Sequence, residues 1–132
     1  MEYRASDAGE IIDQRKLNAN ISTIYGGKGN DTIIFGNANV HGGAGNDTFQ
    51  FFGGFGAVVY WESPTGIQVD LAKGTGRDGY GSVDTFIGVM SVHGCGYSDT
   101  MIGNSGDNNF FGNGGSDTGR WRRERYFHLF WR

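Results

Sequence analysis

Two aspartates occupy the same place in two nearly identical glycine-rich heptapeptides. Gly26–Thr32 reads Gly-Gly-Lys-Gly-Asn-Asp-Thr, and Gly42–Thr48 reads Gly-Gly-Ala-Gly-Asn-Asp-Thr. Glycines take positive φ at little cost, so each run can form a tight concave turn that points carbonyl oxygens inward. Asp31 and Asp47 each add an ionised carboxylate, and such oxygens are the ligands of a hard cation such as Ca²⁺. The chemistry predicted from these residues is cation binding.

The elements that must position these loops are short strands. An apolar residue follows each aspartate by two places (Ile33 and Phe49) and is expected to start a return strand and point inward. Loop and strand together make half a turn of a flattened coil. Parallel strands lie about 4.8 Å apart, and Asp31 and Asp47 are 16 residues apart, close to one full turn. We therefore expect Asp31 to stack close to Asp47.

This stacking links the predicted cation to folding. Two carboxylates about 5 Å apart repel each other by about 3 kcal/mol at an effective dielectric constant near 20. Several such pairs would consume much of the net stability of a small domain. A divalent ion between the loops turns the repulsion into attraction, so we expect folding and Ca²⁺ binding to be coupled.

A second run of units begins at Gly94, Gly103 and Gly112, at a strict spacing of nine residues. Asp99 and Asp117 are 18 residues apart and are expected to face each other on one edge, with Met101 and Phe110 pointing inward. Asn108 takes the aspartate position on the opposite edge, which predicts a weaker site there. Leu17–Tyr25 is a worn copy of the unit, and Ile24 is expected to start the core.

The domain organisation follows from these repeats. Residues 1–16 are polar and are expected to form a lead-in. Residues 17–119 are expected to form one parallel coil, with calcium repeats at 26–50 and 94–118 and a degenerate middle at 51–93 that continues the coil without metal. Residues 120–132 form a basic aromatic tail that matches no repeat.

The chain resembles the repeat region of RTX (hemolysin-type) proteins, whose signature is Gly-Gly-x-Gly-x-Asp-x-apolar-x. The resemblance covers about 100 residues and includes the run Pro-Thr-Gly-Ile-Gln-Val-Asp-Leu-Ala-Lys-Gly-Thr-Gly from Pro64. It implies an all-β fold, a right-handed parallel β-roll (a β-solenoid) with Ca²⁺ between consecutive loops on one edge. The metal ligands that it implies, together with the weaker Asn108 position, are Gly27, Gly29, Asp31, Gly43, Gly45, Asp47, Gly96, Asp99, Asn108, Gly114 and Asp117.

The resemblance also implies a function and a location. Such repeats fold on binding Ca²⁺ after bacterial type I secretion, so we expect a secreted, non-catalytic module of a larger toxin, hydrolase or adhesin. Extracellular calcium modules bind weakly, with Kd around 10⁻⁴ to 10⁻³ M. The N-terminal residues lack the apolar stretch of a secretory signal, which agrees with export by another route, an intracellular protein or a fragment.

Composition limits the partners. Residues 120–132 hold five Arg and one Glu, which leaves six basic and thirteen acidic residues in the rest of the chain. An acidic body suits a calcium carrier and opposes nucleic-acid binding, which needs the opposite sign of charge. No apolar run is long enough for a transmembrane helix. The single Cys95 excludes an internal disulfide and is expected to be a passive thiol.

The tail has three interpretations. Its arginines and aromatic residues could bind a membrane or nucleic acid. They could instead cap the open end of the coil, or the segment could be unrelated coding such as a shifted reading frame. The abrupt change within one repeat favours the last.

Two other functions compete with calcium binding. One is a carbohydrate-active enzyme or glycan-binding appendage on a parallel β-helix, with a polysaccharide or cell surface as partner. Asp70, Asp84 and Tyr80 would be its candidate catalytic groups, although their spacing does not support this, and we expect no enzyme activity. The other is an adhesive or ice-binding roll, which would need a regular threonine array. His41 and His93 are expected to be structural, and their separation argues against a zinc site.

Overall fold

The computed structural model describes residues 1–104 and 108–111 in full, and the backbone of residues 118–120 and 127–130. Within these ranges the chain forms strands and one 3₁₀ turn (Gln14–Lys16), and no α-helix. The strands are β1 (Glu2–Arg4), β2 (Ile11–Asp13), β3 (Thr23–Tyr25), β4 (Thr32–Phe35), β5 (Asn39–His41), β6 (Thr48–Phe51), β7 (Ala57–Val59), β8 (Gln68–Asp70), β9 (Thr75–Arg77), β10 (Val83–Ile87), β11 (Ser91–His93), β12 (Thr100–Ile102), β13 (Asn108–Phe111), β14 (Thr118–Arg120) and β15 (Phe127–Phe130).

The strands form two sheets. Sheet 1 has the order β1-β3-β5-β7-β11-β13-β15, and sheet 2 has the order β14-β12-β8-β9-β10-β6-β4-β2. From β1 to β8, and again from β10 to β15, successive strands alternate between the two sheets. Every pairing is parallel except those of β9. The all-β expectation is confirmed.

The core consists of apolar side chains from both sheets. Strands bury alternate residues, as in β4, where Ile33 and Phe35 are buried while Thr32 and Ile34 are only partly so. Phe49, Met101 and Phe110 are fully buried, as their positions in the repeat predict. The core begins earlier than expected, because Ile12 of β2 already packs in the same cluster as Ile24.

Strand β9 interrupts the alternation between the sheets. After β8 the chain stays in sheet 2 and turns back as β9, which pairs antiparallel with both β8 and β10. Strand β10 then returns to pair in parallel with β6. The degenerate middle of the chain thus adds an inserted strand in addition to strands that continue the parallel pattern.

Both ends of the chain contribute strands. Residues 1–16, expected to be a lead-in, contain β1 and β2, which extend the two sheets. Tail residues 127–130 form β15, paired with β13; residues 121–126, 131 and 132 lie outside the described part, so the three interpretations of the tail stay open. No helix among the described residues has the length and apolar character needed to cross a membrane.

Candidate metal centre

The loops that precede β4 and β6 lie side by side at one edge of sheet 2. Thr32 pairs with Thr48 and Ile33 with Phe49, so Asp31 and Asp47 occupy the same position in adjacent turns. The backbone N–H of Asp31 donates to Oδ1 of Asp47 at 3.0 Å. Both aspartates are almost completely buried. The stacking of Asp31 on Asp47 is therefore confirmed.

Glycine is required in these loops by backbone angle and by space. Gly27, Gly29, Gly43 and Gly45 all have positive φ, between 78° and 99°. The carbonyl oxygens of Gly27 and Gly29 lie so close to Gly43 and Gly45 of the next loop that a Cβ at either position would collide with them. The predicted carbonyl oxygens therefore lie between consecutive loops.

Asparagine side chains also connect the loops. Oδ1 of Asn30 accepts from the backbone N–H of Asn46 at 2.8 Å, and Oδ1 of Asn46 accepts from that of Val83 at 2.9 Å. These bonds hold successive loops in register beside the aspartates. The motif position that the repeat leaves variable thus has a structural role here.

The column of aspartates extends to Asp84, which the sequence did not predict as a ligand. Thr85 of β10 pairs with Thr48 of β6, and the backbone N–H of Asp47 donates to Oδ1 of Asp84 at 2.9 Å. We call Asp31, Asp47 and Asp84 the acid column. The hydroxyl of Tyr60 donates to Oδ2 of Asp84 at 2.7 Å.

A fourth acid reaches the column from the β9–β10 turn. Oδ1 of Asp78 accepts from the backbone N–H groups of Tyr80 and Ser82, each at 2.9 Å, and so closes the turn. Asp78 is 5% exposed. One carboxylate oxygen from each of Asp47, Asp78 and Asp84 lies within 4.8 Å of the others. We call these three residues the carboxylate cluster.

Burial makes these carboxylates hard to ionise. Burial, together with the charges of Asp84, Asp31 and Asp78, raises the pKa of Asp47 to about 9. Burial also raises the pKa of Asp84 to about 7, against the hydrogen bonds from Asp47 and Tyr60, which favour its charged form. Burial is also the largest cause that raises the pKa values of Asp31 and Asp78. Without a cation, this edge of the protein favours protonated acids.

The second predicted cluster lies partly within the described residues. Asp99 is buried, and its Oδ1 accepts from the backbone N–H of Ile67 at 3.0 Å. Ile67 therefore takes, in the adjacent turn, the position that Asp31 takes next to Asp47, and this position is not an acid. Oδ2 of Asp99 accepts from the backbone N–H of Cys95 at 3.0 Å. Gly96 is exposed in the same loop. Gly114 and Asp117 lie outside the described residues, although Thr100 pairs with Thr118 as the predicted register requires.

Asn108 begins β13 in sheet 1, away from the edge that carries Asp99 in sheet 2. It is buried, its Oδ1 accepts from the backbone N–H of Asn104 at 2.9 Å, and its Nδ2 donates to the side chain of Asn104 at 3.1 Å. Placement on the opposite edge is as predicted.

Cys95 is inaccessible. The residue is 1% exposed, and burial raises the pKa of its thiol to about 11, with Asp99 adding to the shift. Its Sγ donates to Oδ1 of Asp99 at 3.1 Å.

The residues considered for catalysis have separate local roles. Asp70 accepts from the backbone N–H of Lys73, the hydroxyl of Tyr80 donates to the backbone oxygen of Glu62, and Asp84 belongs to the acid column. The two histidines stack with aromatic rings along sheet 1: Tyr25 on His41 (centroids 4.4 Å apart) and His93 on Phe111 (4.2 Å), with Trp61 edge-on between the pairs.

Neither the scan against protein-family models nor the search of curated proteins finds a match to this chain.

Proposed function

We propose that this protein is a calcium-binding module of the RTX type, whose folding is coupled to Ca²⁺ and which is exported as a non-catalytic part of a larger bacterial toxin, hydrolase or adhesin. The finer fold that goes with this proposal is the right-handed parallel β-roll. The observation that carries it is the stacking of Asp31 and Asp47 at one sheet edge, where the two carboxylates are buried one strand apart.

The donor set fits Ca²⁺. Asp31 and Asp47 each have a buried Oδ2 without a hydrogen-bond partner. The carbonyl oxygens of Gly27 and Gly29 lie between the two loops that carry these aspartates. Calcium accepts six to eight such oxygens in flexible geometry, which a loop of glycines and one carboxylate can supply. Gly43 and Gly45 provide the same groups for the next loop, and Gly96 and Asp99, with Gly114 and Asp117, for the second run.

The coupling to folding follows from the charges. In metal-free protein at neutral pH, the fold must either keep buried acids protonated or bury their charges close together, and both lower its stability. A bound divalent ion favours the ionised carboxylates in the folded state. The unfolded chain has no assembled loops, so the free energy of binding adds to that of folding.

The test is a calcium titration of the metal-free protein. Circular dichroism should show the β-sheet signal lost in EDTA and restored by millimolar Ca²⁺, and calorimetry should give the number of ions. Asp47→Ala should lose the first site, whereas Asp70→Ala changes a partly exposed carboxylate and should keep it. A spectrum that ignores both EDTA and Ca²⁺ would contradict the proposal.

The competing function, glycan binding, finds less support in the geometry. Sugars stack on exposed ring faces, but Tyr25 stacks on His41 and His93 stacks on Phe111, so one face of each ring is already covered. Phe55, the most exposed aromatic residue described, is on a loop outside this row. A pull-down with insoluble polysaccharides tests the alternative directly.

A further inference from the structure

We propose that Asp47, Asp78 and Asp84 bind one divalent cation together, in a site that joins a repeat loop to the turn after the inserted strand β9. The inference rests on the proposed function for the identity of the ion, Ca²⁺. It adds a site that lies outside the repeat pattern, because Asp78 and Asp84 come from the segment in which the glycine motif is lost.

The three carboxylates converge from three places in the fold. Asp47 ends the repeat loop before β6, Asp84 lies in β10, and Asp78 is in the turn between β9 and β10. Their ligand oxygens lie within 4.8 Å of one another. Three monodentate oxygens around one cation at 2.3–2.6 Å are separated by about this distance or less, so the cluster has the size of a Ca²⁺ site.

Two carboxylate oxygens of the cluster have no hydrogen-bond partner outside it. Oδ1 of Asp78 closes the turn and Oδ1 of Asp47 caps Asp31, but Oδ2 of each is buried without a hydrogen-bond partner. Buried polar atoms are almost always paired, so two such atoms in one small cluster are available to bind a cation. The third residue, Asp84, accepts from Tyr60, which fixes its orientation.

The burial and negative charge of the three carboxylates also favour a bound cation. Asp47, Asp78 and Asp84 are 1%, 5% and 0% exposed. Within the part of the chain that the structure describes, none of them forms a salt bridge with Lys, Arg or His. A buried carboxylate stays ionised only with a positive charge or a metal beside it. Without either, burial and the neighbouring acids raise its pKa, and it keeps its proton. All-oxygen ligands select a hard cation over Zn²⁺ or Cu²⁺.

The consequence is a cation that fixes the insertion to the repeats. Strand β9 pairs antiparallel on both sides, and its turn to β10 contacts the acid column through Asp78. A cation held by all three residues would tie this turn to the repeat loop before β6. The degenerate middle would then carry metal, contrary to the sequence-based expectation.

The experiment separates this site from the repeat loops by two substitutions. Asp78→Asn keeps the size of the side chain and an oxygen that can close the turn, but removes the charge from the carboxylate cluster alone. Asp31→Asn makes the same change in the repeat loops and leaves the cluster intact. Asp70→Asn is the matched control, and Asp84→Asn is a second cluster variant in case Asp78→Asn does not fold.

Calorimetry in Ca²⁺ and terbium luminescence excited through the aromatic residues give the number of bound ions. We expect Asp78→Asn to bind one ion fewer than the wild type, or one ion at least tenfold more weakly, while Asp70→Asn is unchanged. If Asp31→Asn loses an ion but Asp78→Asn and Asp84→Asn do not, the cluster holds only shared protons and this inference is overturned while the proposed function stands. If the wild type binds no Ca²⁺ at all, both are overturned.

Discussion

Replacing Asp47 by asparagine should stabilise the metal-free protein and weaken its stabilisation by Ca²⁺. The folded-state pKa of Asp47 is about 9, against an ordinary value of 3.8. Between these values the unfolded carboxyl is ionised while the folded one keeps its proton, so the unfolded state binds fewer protons. The stability of the metal-free protein therefore falls as the pH rises from about 4 to about 9.

The magnitude follows from the pKa difference. Each pH unit in this window lowers the free energy of unfolding by about 1.4 kcal/mol, so about 4 kcal/mol is lost by pH 7. Asparagine does not titrate, and its Oδ1 can still accept from the N–H of Asp31. Because Asp31 and Asp84 share the electrostatic effect, we expect Asp47→Asn to gain roughly 2–4 kcal/mol at pH 7 without metal, and nothing near pH 4.

The assay is circular dichroism near pH 4, 7 and 8.5. In EDTA, where the wild type is expected to unfold at neutral pH, the remaining β-sheet signal ranks stability, and in millimolar Ca²⁺ urea denaturation measures it. The variant should be more stable than the wild type in EDTA at the two higher pH values and less stable in Ca²⁺. Asp70→Asn should show no such change of sign. The reasoning is refuted if Asp47→Asn is destabilised equally at all three pH values, since the side chain would then act only as a hydrogen-bonding cap.

Three further predictions concern the surroundings of the acid column. Gly45→Ala should destabilise the protein by about 2 kcal/mol or more, since its φ is 99° and a Cβ would meet the oxygen of Gly29; Gly81→Ala, with φ of 86° and open space, should cost only about 1 kcal/mol in the same denaturation assay. Tyr60→Phe should lower stability by about 1–3 kcal/mol and raise the pKa of Asp84, so the fall of its stability with pH should extend to higher pH than in the wild type. Cys95 should react with a thiol reagent at least 100-fold more slowly in the calcium-loaded protein than in urea, because its thiol is buried and its pKa is about 11; equal rates would contradict its position.

The sequence predicts the part of the site that the repeat encodes. A spacing of 16 residues places Asp31 and Asp47 in adjacent turns, and the apolar residue after each Asp-Thr pair enters the core. Both follow from local chemistry, because glycine sets the turn and alternation sets the buried face. The same reasoning places Asn108 on the opposite edge.

The position of Asp84 could have been predicted from the sequence, but the search for glycine-rich units missed it. Asp84-Thr85-Phe86 repeats Asp47-Thr48-Phe49 without the preceding glycines, and Thr85 pairs with Thr48. The dipeptide Asp-Thr before an apolar residue marks this sheet edge more reliably than the glycines do. Asp78 had no comparable signal, because it reaches the cluster only through the turn between β9 and β10.

The reversal at β9 could not be predicted either. Lys73–Gly81 is rich in glycine and reads as a loop, yet Thr75–Arg77 pairs with strands on both sides. A three-residue strand between two turns has no periodicity to detect, and its pairing depends on neighbours that the chain brings together from elsewhere.

The inserted strand gives the two faces of the protein different lengths. Sheet 2 places β10, β9 and β8 opposite β7 and β11 of sheet 1, so one face is longer by a single strand, about 4.8 Å. In sheet 2 the insertion therefore separates the repeat loops before β4 and β6 from the repeat loop before β12, whereas sheet 1 runs from β5 through β7 and β11 to β13 with no added strand.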